Sequence, residues 1–203
     1  MQEESLVSSI RLFILGSLAQ RGPMHGHALL QLAEEEHIGN WTDFAPSGVY
    51  GAIKRLAHEE LIVEDRVEKL GNYPERSVYR ISETGEASLA ELRNDGLTEI
   101  HFRPDPVDLA LTRLDPERLD GLAAVIEGRL TRLRATLAAE TAKLEQIGHY
   151  LTVAETWAMR HKGFRYRGEI EWHEQLLAAL PEIITDEHAQ IDKQQQSSKG
   201  QHQ

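Results

Sequence analysis

In this chain of 203 residues, three apolar patterns of helical period give way at Leu61 to a stretch of another period, and that switch limits the possible folds more than any other feature. Leu61-Ile62-Val63 and Arg66-Val67-Glu68-Lys69 read as one strand. Leu70-Gly71-Asn72-Tyr73-Pro74-Glu75 is rich in turn formers, and Ser77-Val78-Tyr79-Arg80-Ile81 reads as the antiparallel partner. Upstream, Ile10, Phe13, Ile14 and Leu18 follow helical spacing until Gly22-Pro23 stops the helix. A second helix runs from about His25 to Glu36, burying Ala28, Leu29, Leu32 and Ala33. The third starts after Pro46, with Ser47 placed to cap it, and continues to about Glu60. Beyond the hairpin, Thr84 is placed to cap a fourth helix from Gly85 to about Asn94.

Helix, helix, helix, hairpin, helix is the order of a winged helix-turn-helix, whose third helix enters the major groove of DNA while the hairpin flanks it. On a helical wheel Val49, Ile53, Leu56 and Ala57 form the core side of the third helix. Ser47, Tyr50, Gly51, Lys54 and His58 lie opposite, and with Arg55 they are the candidate DNA contacts. Gly48 and Gly51 each cost about 1 kcal/mol in a helix relative to Ala. Either close approach to a phosphate or groove wall, or tight packing on the second helix, would account for them. At the hairpin turn Lys69, Asn72, Tyr73 and Arg76 can reach phosphates or the minor groove, whereas Arg80 can pair with Glu64 or Asp65.

These residues also resemble a family. Gly22-Pro23-Met24-His25-Gly26 with Leu29 is similar to the opening of the second helix in PadR-type transcriptional regulators. Ser47-Gly48-Val49-Tyr50, Lys54-Arg55-Leu56 and Glu59-Glu60-Leu61-Ile62 are similar to that family's recognition helix, and Arg76, Tyr79, Ile81, Ser82 and Gly85 to its wing and exit. Together the matches span about residues 10–90. His27 stands where the family has Tyr and Glu60 where it has Gly; both are compatible with a helix. The resemblance implies a homodimeric, ligand-responsive repressor on a palindromic operator.

Pro104 and Pro106 mark a connecting segment, and Asp115-Pro116-Glu117 is a helix start. Leu119, Ala123, Ile126, Leu130, Leu133, Leu137, Glu140, Leu144, Ile147, Leu151 and Ala154 then follow alternating steps of three and four, a long helix packed along its seam. A second amphipathic segment runs from about Tyr166 to Leu180. The pair resembles the C-terminal dimerisation helices of PadR relatives, so Leu119, Ile126, Leu130, Leu133, Leu137, Leu144, Ile147 and Leu151 are the candidate dimer contacts. The expected fold is mainly α with a small β-hairpin wing. A DNA-binding domain occupies 1–97, a connector 98–115, a helical dimerisation and effector domain 116–185, and a tail without structure 186–203.

Composition narrows the function. Without cysteine the chain has no disulfide, thiolate metal site or cysteine nucleophile. No apolar run approaches the ~20 residues of a membrane helix, which points to the cytoplasm. G-x-S-x-G, H-E-x-x-H and phosphate-cradling glycine loops are missing, so no catalytic residue and no cofactor is assigned. No metal site is assigned either: His25 and His27, at i, i+2 on a helix, point to different sides, and Glu169 with His173 reads as a solvated pair. Trp157, Phe164, Tyr166 and Trp172 are candidates for holding a small aromatic effector between tryptophans on neighbouring helices, with aromatic packing of a dimer interface as the other reading. Net charge is −11, which disfavours DNA unless folding segregates the signs. From Ser47 to Arg80 six basic residues face six acidic ones. A winged-helix adaptor that contacts protein and not DNA is the alternative that the acidity favours.

Overall fold

The computed structural model describes residues 2–40, 42, 45–69, 74–100 and 104–200, with the side chains of 2–8, 40, 46, 191–192 and 194–200 left out of account. Asn72 and Tyr73 lie outside the described residues. The chain divides into two compact units, Met1–His101 and Phe102–Gln203.

The first unit contains helix α1 (Gln2–Arg21), strand β1 (Met24–His25), helices α2 (Gly26–Glu35) and α3 (Val49–His58), strands β2 (Ile62–Glu68) and β3 (Arg76–Ile81), and helix α4 (Glu83–Thr98). The sheet has three antiparallel strands in the order β1-β3-β2, one more than the expected hairpin. The addition is the two residues before α2, which pair Met24 with Tyr79 and His25 with Val78. The core is one cluster drawn from α1 (Phe13, Ile14, Leu15, Leu18), α2 (Leu29, Leu32), α3 (Val49, Ile53, Leu56) and their neighbours Ile62 and Leu89. Removing these apolar surfaces from water is the main force holding the helices together.

Helix boundaries differ from expectation at three caps. Ser47 lies in a 3₁₀ turn, Pro46–Gly48, and the N-cap of α3 is Gly48, which makes no side-chain capping bond. Ser82 rather than Thr84 caps α4, accepting from the Gly85 N–H at 3.0 Å. Thr84 instead donates to the Glu60 carbonyl at 3.0 Å. Glu60 is past the end of α3, not in it: its φ is 59°, the left-handed region that favours glycine. The Leu61 N–H reaches the Leu56 carbonyl at 2.9 Å and the Glu60 N–H reaches Ala57 at 3.2 Å. That pairing is a Schellman closure, and it explains why a glycine suits position 60.

The second unit contains α5 (Pro106–Leu111), a 3₁₀ turn over Pro116–Gly121, α6 (Leu122–Ile147) and α7 (Val153–Gly200). The segment 98–115 is therefore no bare connector: α4 runs to Thr98, and Leu111 of α5 packs on the core of the second unit. Asp115 caps the 3₁₀ turn through the Glu117 N–H at 3.1 Å, as Asp115-Pro116-Glu117 implied. The heptad does not lie on one helix. Gly148–Tyr150 forms a 3₁₀ turn. Thr152 and Glu155 then open α7 with reciprocal bonds, Thr152 N–H to Glu155 Oε2 at 2.7 Å and Glu155 N–H to Thr152 Oγ1 at 3.2 Å.

After this turn α7 runs back antiparallel along α6, pairing Lys162 with Glu140 at 2.6 Å and seating Leu176 and Leu180 against Ile126. Leu119, Ile126 and Leu130 are consequently buried within the chain's own fold. Their expected role as intermolecular contacts has little apolar surface left to work with, because the chain's own fold covers all three. Leu151 lies in the turn between helices, off the seam. Leu133, Leu137, Leu144 and Ile147 are half-buried. Residues 186–200, expected to lack structure, continue α7. Their Glu, His, Ala, Gln, Lys and Ser content includes no proline and no glycine before Gly200, so nothing local stops the helix.

One partly buried polar chain ties the second unit together. His173 is wholly buried, which overturns the reading of Glu169 and His173 as a solvated pair. Its Nδ1 is 2.7 Å from the Glu169 carbonyl and therefore donates to it. Arg129 Nε then donates to the free Nε2 at 2.7 Å, and the far end of the guanidinium binds Asp105. Asp105 in turn caps α5 through the Val107 N–H at 2.9 Å.

Candidate nucleic-acid interface

The two faces of α3 are sharply divided. Val49, Ala52, Ile53 and Leu56 are buried, while Ser47, Tyr50, Gly51, Lys54, Arg55 and His58 are exposed. The wheel therefore identified the outward residues. A methyl group at Gly48 would meet Ile10 of α1 at 3.2 Å, so packing explains that glycine, though against α1 and not α2. At Gly51 the nearest atom belongs to the Arg55 side chain at 3.6 Å, which leaves the backbone open to an incoming surface. Arg11 pairs with Glu59 at 2.6 Å, tethering the end of α3 to α1.

The cations of the two elements differ. Among the described residues Lys54 and Arg55 carry no ion pair. In the wing, Lys69 pairs with Glu75 at 3.7 Å, Arg76 with Glu68 at 3.7 Å and Arg80 with Asp65 at 3.8 Å. Such exposed pairs contribute about 0–1 kcal/mol each, so a phosphate can compete for their cations. Arg66 is held by Asp65 and Glu68, both at 2.7 Å.

A further cluster joins α2, α3 and the wing. Tyr50 is 47% exposed, and its ring rests on Gly26: a Cβ there would stand 2.8 Å from Tyr50 Cε1. His25, immediately before, is the N-cap of α2 and accepts from the Ala28 N–H through Nδ1 at 2.9 Å. Because His25 is in extended backbone and outside the helix, its ring stacks on His27 at 6.3 Å between centroids and 11° between planes. The expectation that these rings diverge rested on placing both in a helix. Burial holds the His25 ring below a histidine's usual 6.5, with Arg76 and His27 acting in the same direction and Glu68 against them. Sequence reasoning missed the capping role because histidine is not a favoured N-cap residue. Among the described residues no group of three His, Asp or Glu is arranged to hold a metal ion.

The aromatic residues of the second unit do not form one site. Trp157 and Trp172 share α7, fifteen residues apart, about 22 Å at 1.5 Å per residue. They cannot flank one ligand within a chain. Trp157 and Phe164 instead line a groove of about 310 Å³ near the α6–α7 turn, together with Glu140, Leu144, Arg160 and Arg167. Arg160 lies over the Trp157 ring at 5.5 Å and Arg167 over Phe164 at 4.4 Å. Tyr166 is half-buried and does not line the groove. Trp172 packs edge-on against His173 at 4.7 Å.

Residues 14–91 match the family model described as transcriptional regulator PadR-like family. Among solved structures, the chain is similar to Bacillus subtilis PadR in complex with operator DNA, with 20% identity, a TM-score of 0.58, and coverage of 84% of this chain and 96% of that one. It is also similar to Bacillus subtilis PadR in complex with p-coumaric acid, with 18% identity, a TM-score of 0.61, and coverage of 85% and 99%. A third is the PadR-like regulator BC1756 from Bacillus cereus, with 19% identity, a TM-score of 0.52, and coverage of 84% and 94%. At these identities the likeness establishes the fold, and it extends over both units. Comparison with curated protein sequences finds no match.

Proposed function

Through residues 14–91 the chain belongs to the PadR-like family of transcriptional regulators, and from that premise we propose that it is a cytoplasmic, ligand-responsive repressor that binds a palindromic operator as a homodimer. The observation that carries this reading is the outward face of α3, where Tyr50, Lys54 and Arg55 are exposed and neither cation is ion-paired among the described residues. In a chain of net charge −11 that face is a local exception, and the exposed backbone at Gly51 suits a helix seated in a groove. Lys69 and Arg76 of the wing add contacts by exchanging Glu75 and Glu68 for phosphate. The long-range repulsion of so acidic a protein weakens nonspecific binding, leaving selectivity to base and shape readout.

Dimerisation is carried by surface that the intrachain packing leaves open. Trp157 and Phe164 are 58% and 57% exposed on α7, with the half-buried Leu144 lining the same groove and Leu137 near Gly163; Leu133 and Ile147 of α6 are half-buried too. Apolar side chains of this size left in water favour a second copy. The other reading of Trp157 and Phe164 is an effector groove in place of a dimer contact: Arg160 and Arg167 suit a planar aromatic anion, and the Glu140 carboxylate on the same groove is paired with Lys162. The p-coumaric acid complex of Bacillus subtilis PadR is in keeping with that class. No residue is assigned to catalysis and no cofactor is assigned. The alternative, a winged-helix adaptor without DNA binding, is favoured by the ion pairing of every described wing cation.

Recovering genomic fragments bound to the full-length protein tests the proposal. Enrichment of short inverted repeats whose half-sites are spaced by whole helical turns of about 10 bp is the expected result. Recovery of no sequence above background decides for the adaptor. Sedimentation of the protein with Trp157→Asp and Phe164→Asp should show monomer; an unchanged dimer puts the interface elsewhere.

A further inference from the structure

His25 is an uncommon residue for its position. Asn, Asp and Ser satisfy the free N–H groups at a helix start better, and none of them titrates near neutrality. The Nδ1 of His25 accepts from the Ala28 N–H at 2.9 Å, which it can do only while that nitrogen carries no proton. The next residue, Gly26, lies directly beneath the ring of Tyr50. Strand β1 fixes His25 opposite Val78 of the wing. One imidazole thus stands where the first helix of the helix-turn-helix, the recognition helix and the wing meet.

We propose that His25 is a proton-operated positioning residue for DNA reading: neutral, it caps α2 and keeps Gly26 in place under Tyr50; protonated, it releases both. The inference rests on the reading of Tyr50 as a DNA contact. Among the described residues the titratable and charged groups acting on the ring are Arg76 and Glu68 from the wing and His27 from α2; Tyr50 of α3 lies over the neighbouring Gly26. Of these only Glu68 favours a charged imidazole. Arg76, His27 and the positive end of the α2 dipole oppose it, and a protonated Nδ1 faces the Ala28 N–H donor to donor. Burial acts in the same direction, holding the ring below its usual 6.5. The cap is accordingly complete above that value and is lost as pH falls through the lower value of the folded protein.

The test uses full-length protein, a duplex carrying the sequence recovered above, and anisotropy titrations at about pH 7.5 and about pH 5.5. Asn is a preferred N-cap residue that does not titrate, so His25→Asn should bind as the wild type does at the higher pH. On acidification the wild type should lose about fivefold more affinity than His25→Asn, the equivalent of one lost cap. The Ala28 amide resonance, followed without DNA, should move over the same pH range in the wild type and stay fixed in His25→Asn. His27→Gln should retain the wild-type acid loss. Equal acid loss in wild type and His25→Asn overturns the proposal. So does tighter binding in acid that His25→Asn removes, because the charged ring would then be contacting phosphate. A Tyr50→Ala protein that binds as the wild type does overturns the α3 reading instead, and the Ala28 amide still reports on the cap.

Discussion

Glu60 is a place where this chain carries strain that a single change removes. Its φ of 59° puts a side chain in the left-handed region, at a cost of about 1–2 kcal/mol for a residue with a Cβ. The surrounding structure holds it there: its carbonyl accepts from Ser82 Oγ at 2.7 Å and Thr84 Oγ1 at 3.0 Å, and the Leu61 N–H closes α3 onto Leu56. Glu60→Gly keeps all three bonds, which involve only backbone atoms of residues 60 and 61. Glycine loses more chain entropy on folding, which returns about half of the gain. The net expectation is stabilisation of the first unit by about 1 kcal/mol, or a midpoint rise of about 4–8 °C for a unit of this size. Differential scanning calorimetry of the full chain measures it, with Glu60→Ala as the control, because Ala retains the Cβ and should give no comparable gain. If Glu60→Gly leaves the transition unmoved while Glu60→Ala raises it, the side chain's charge is responsible and the strain argument is wrong.

Arg129→Met should destabilise the second unit by about 1–3 kcal/mol, because it leaves Nε2 of the wholly buried His173 without a donor. Adding His173→Leu should restore part of the loss in a denaturant titration followed by tryptophan emission, and a purely additive double variant would contradict the relay. Gly85→Ala should cost about 3 kcal/mol or more, since its Cβ would stand 2.0 Å from the Leu61 carbonyl oxygen, a backbone atom; circular dichroism against temperature checks this, and an unchanged melt refutes it. The Glu155 carboxyl is held below its usual 4.5 by the Thr152 hydroxyl and N–H, and Asp105 below 3.8 by the Val107 N–H and then Arg129. Their stabilisation is complete above those values and fades as pH falls through the lower folded-state values. Far-ultraviolet ellipticity of the second unit should therefore decline only below about pH 4.5, and Glu155→Gln should remove the first part of that decline.

The winged helix was legible because its signals are local. Change of period, the stops at Gly22-Pro23 and the wheel of α3 each depend on neighbouring residues. The strand at Met24–His25 was not, because two residues carry no periodicity and pair with a partner more than fifty positions away. Glu60 was misplaced because a helix pattern does not show where the last turn closes; the family's glycine at that position was the available clue. In the second unit a sustained heptad concealed a turn. Gly148 and the Thr152-Val153-Ala154-Glu155 capping box were its local signs, and they fell in step with the repeat. A seam also does not say whose helix covers it, so burial of Ile126 and Leu130 by the chain's own α7 could not be read from spacing. The same turn put Trp157 and Trp172 on one helix and moved the aromatic site to Trp157 and Phe164 with two arginines. His173 looked like a surface residue because its partner Arg129 is 44 positions away.

The claim on which the account depends is that the exposed face of α3 reads DNA. Anisotropy titrations of wild type, Tyr50→Ala, Lys54→Ala and Arg113→Ala on the recovered sequence, repeated across salt concentrations, address it directly. Lys54 and Arg55 from two protomers give four phosphate or base contacts and a log–log salt slope of about −4, rising to about −7 if Lys69 and Arg76 also leave their wing partners. Tyr50→Ala and Lys54→Ala should each weaken binding by at least tenfold, Lys54→Ala should flatten the slope by about 2, and Arg113→Ala should change neither. Wild-type affinity and slope in both α3 variants would mean that another surface holds the DNA.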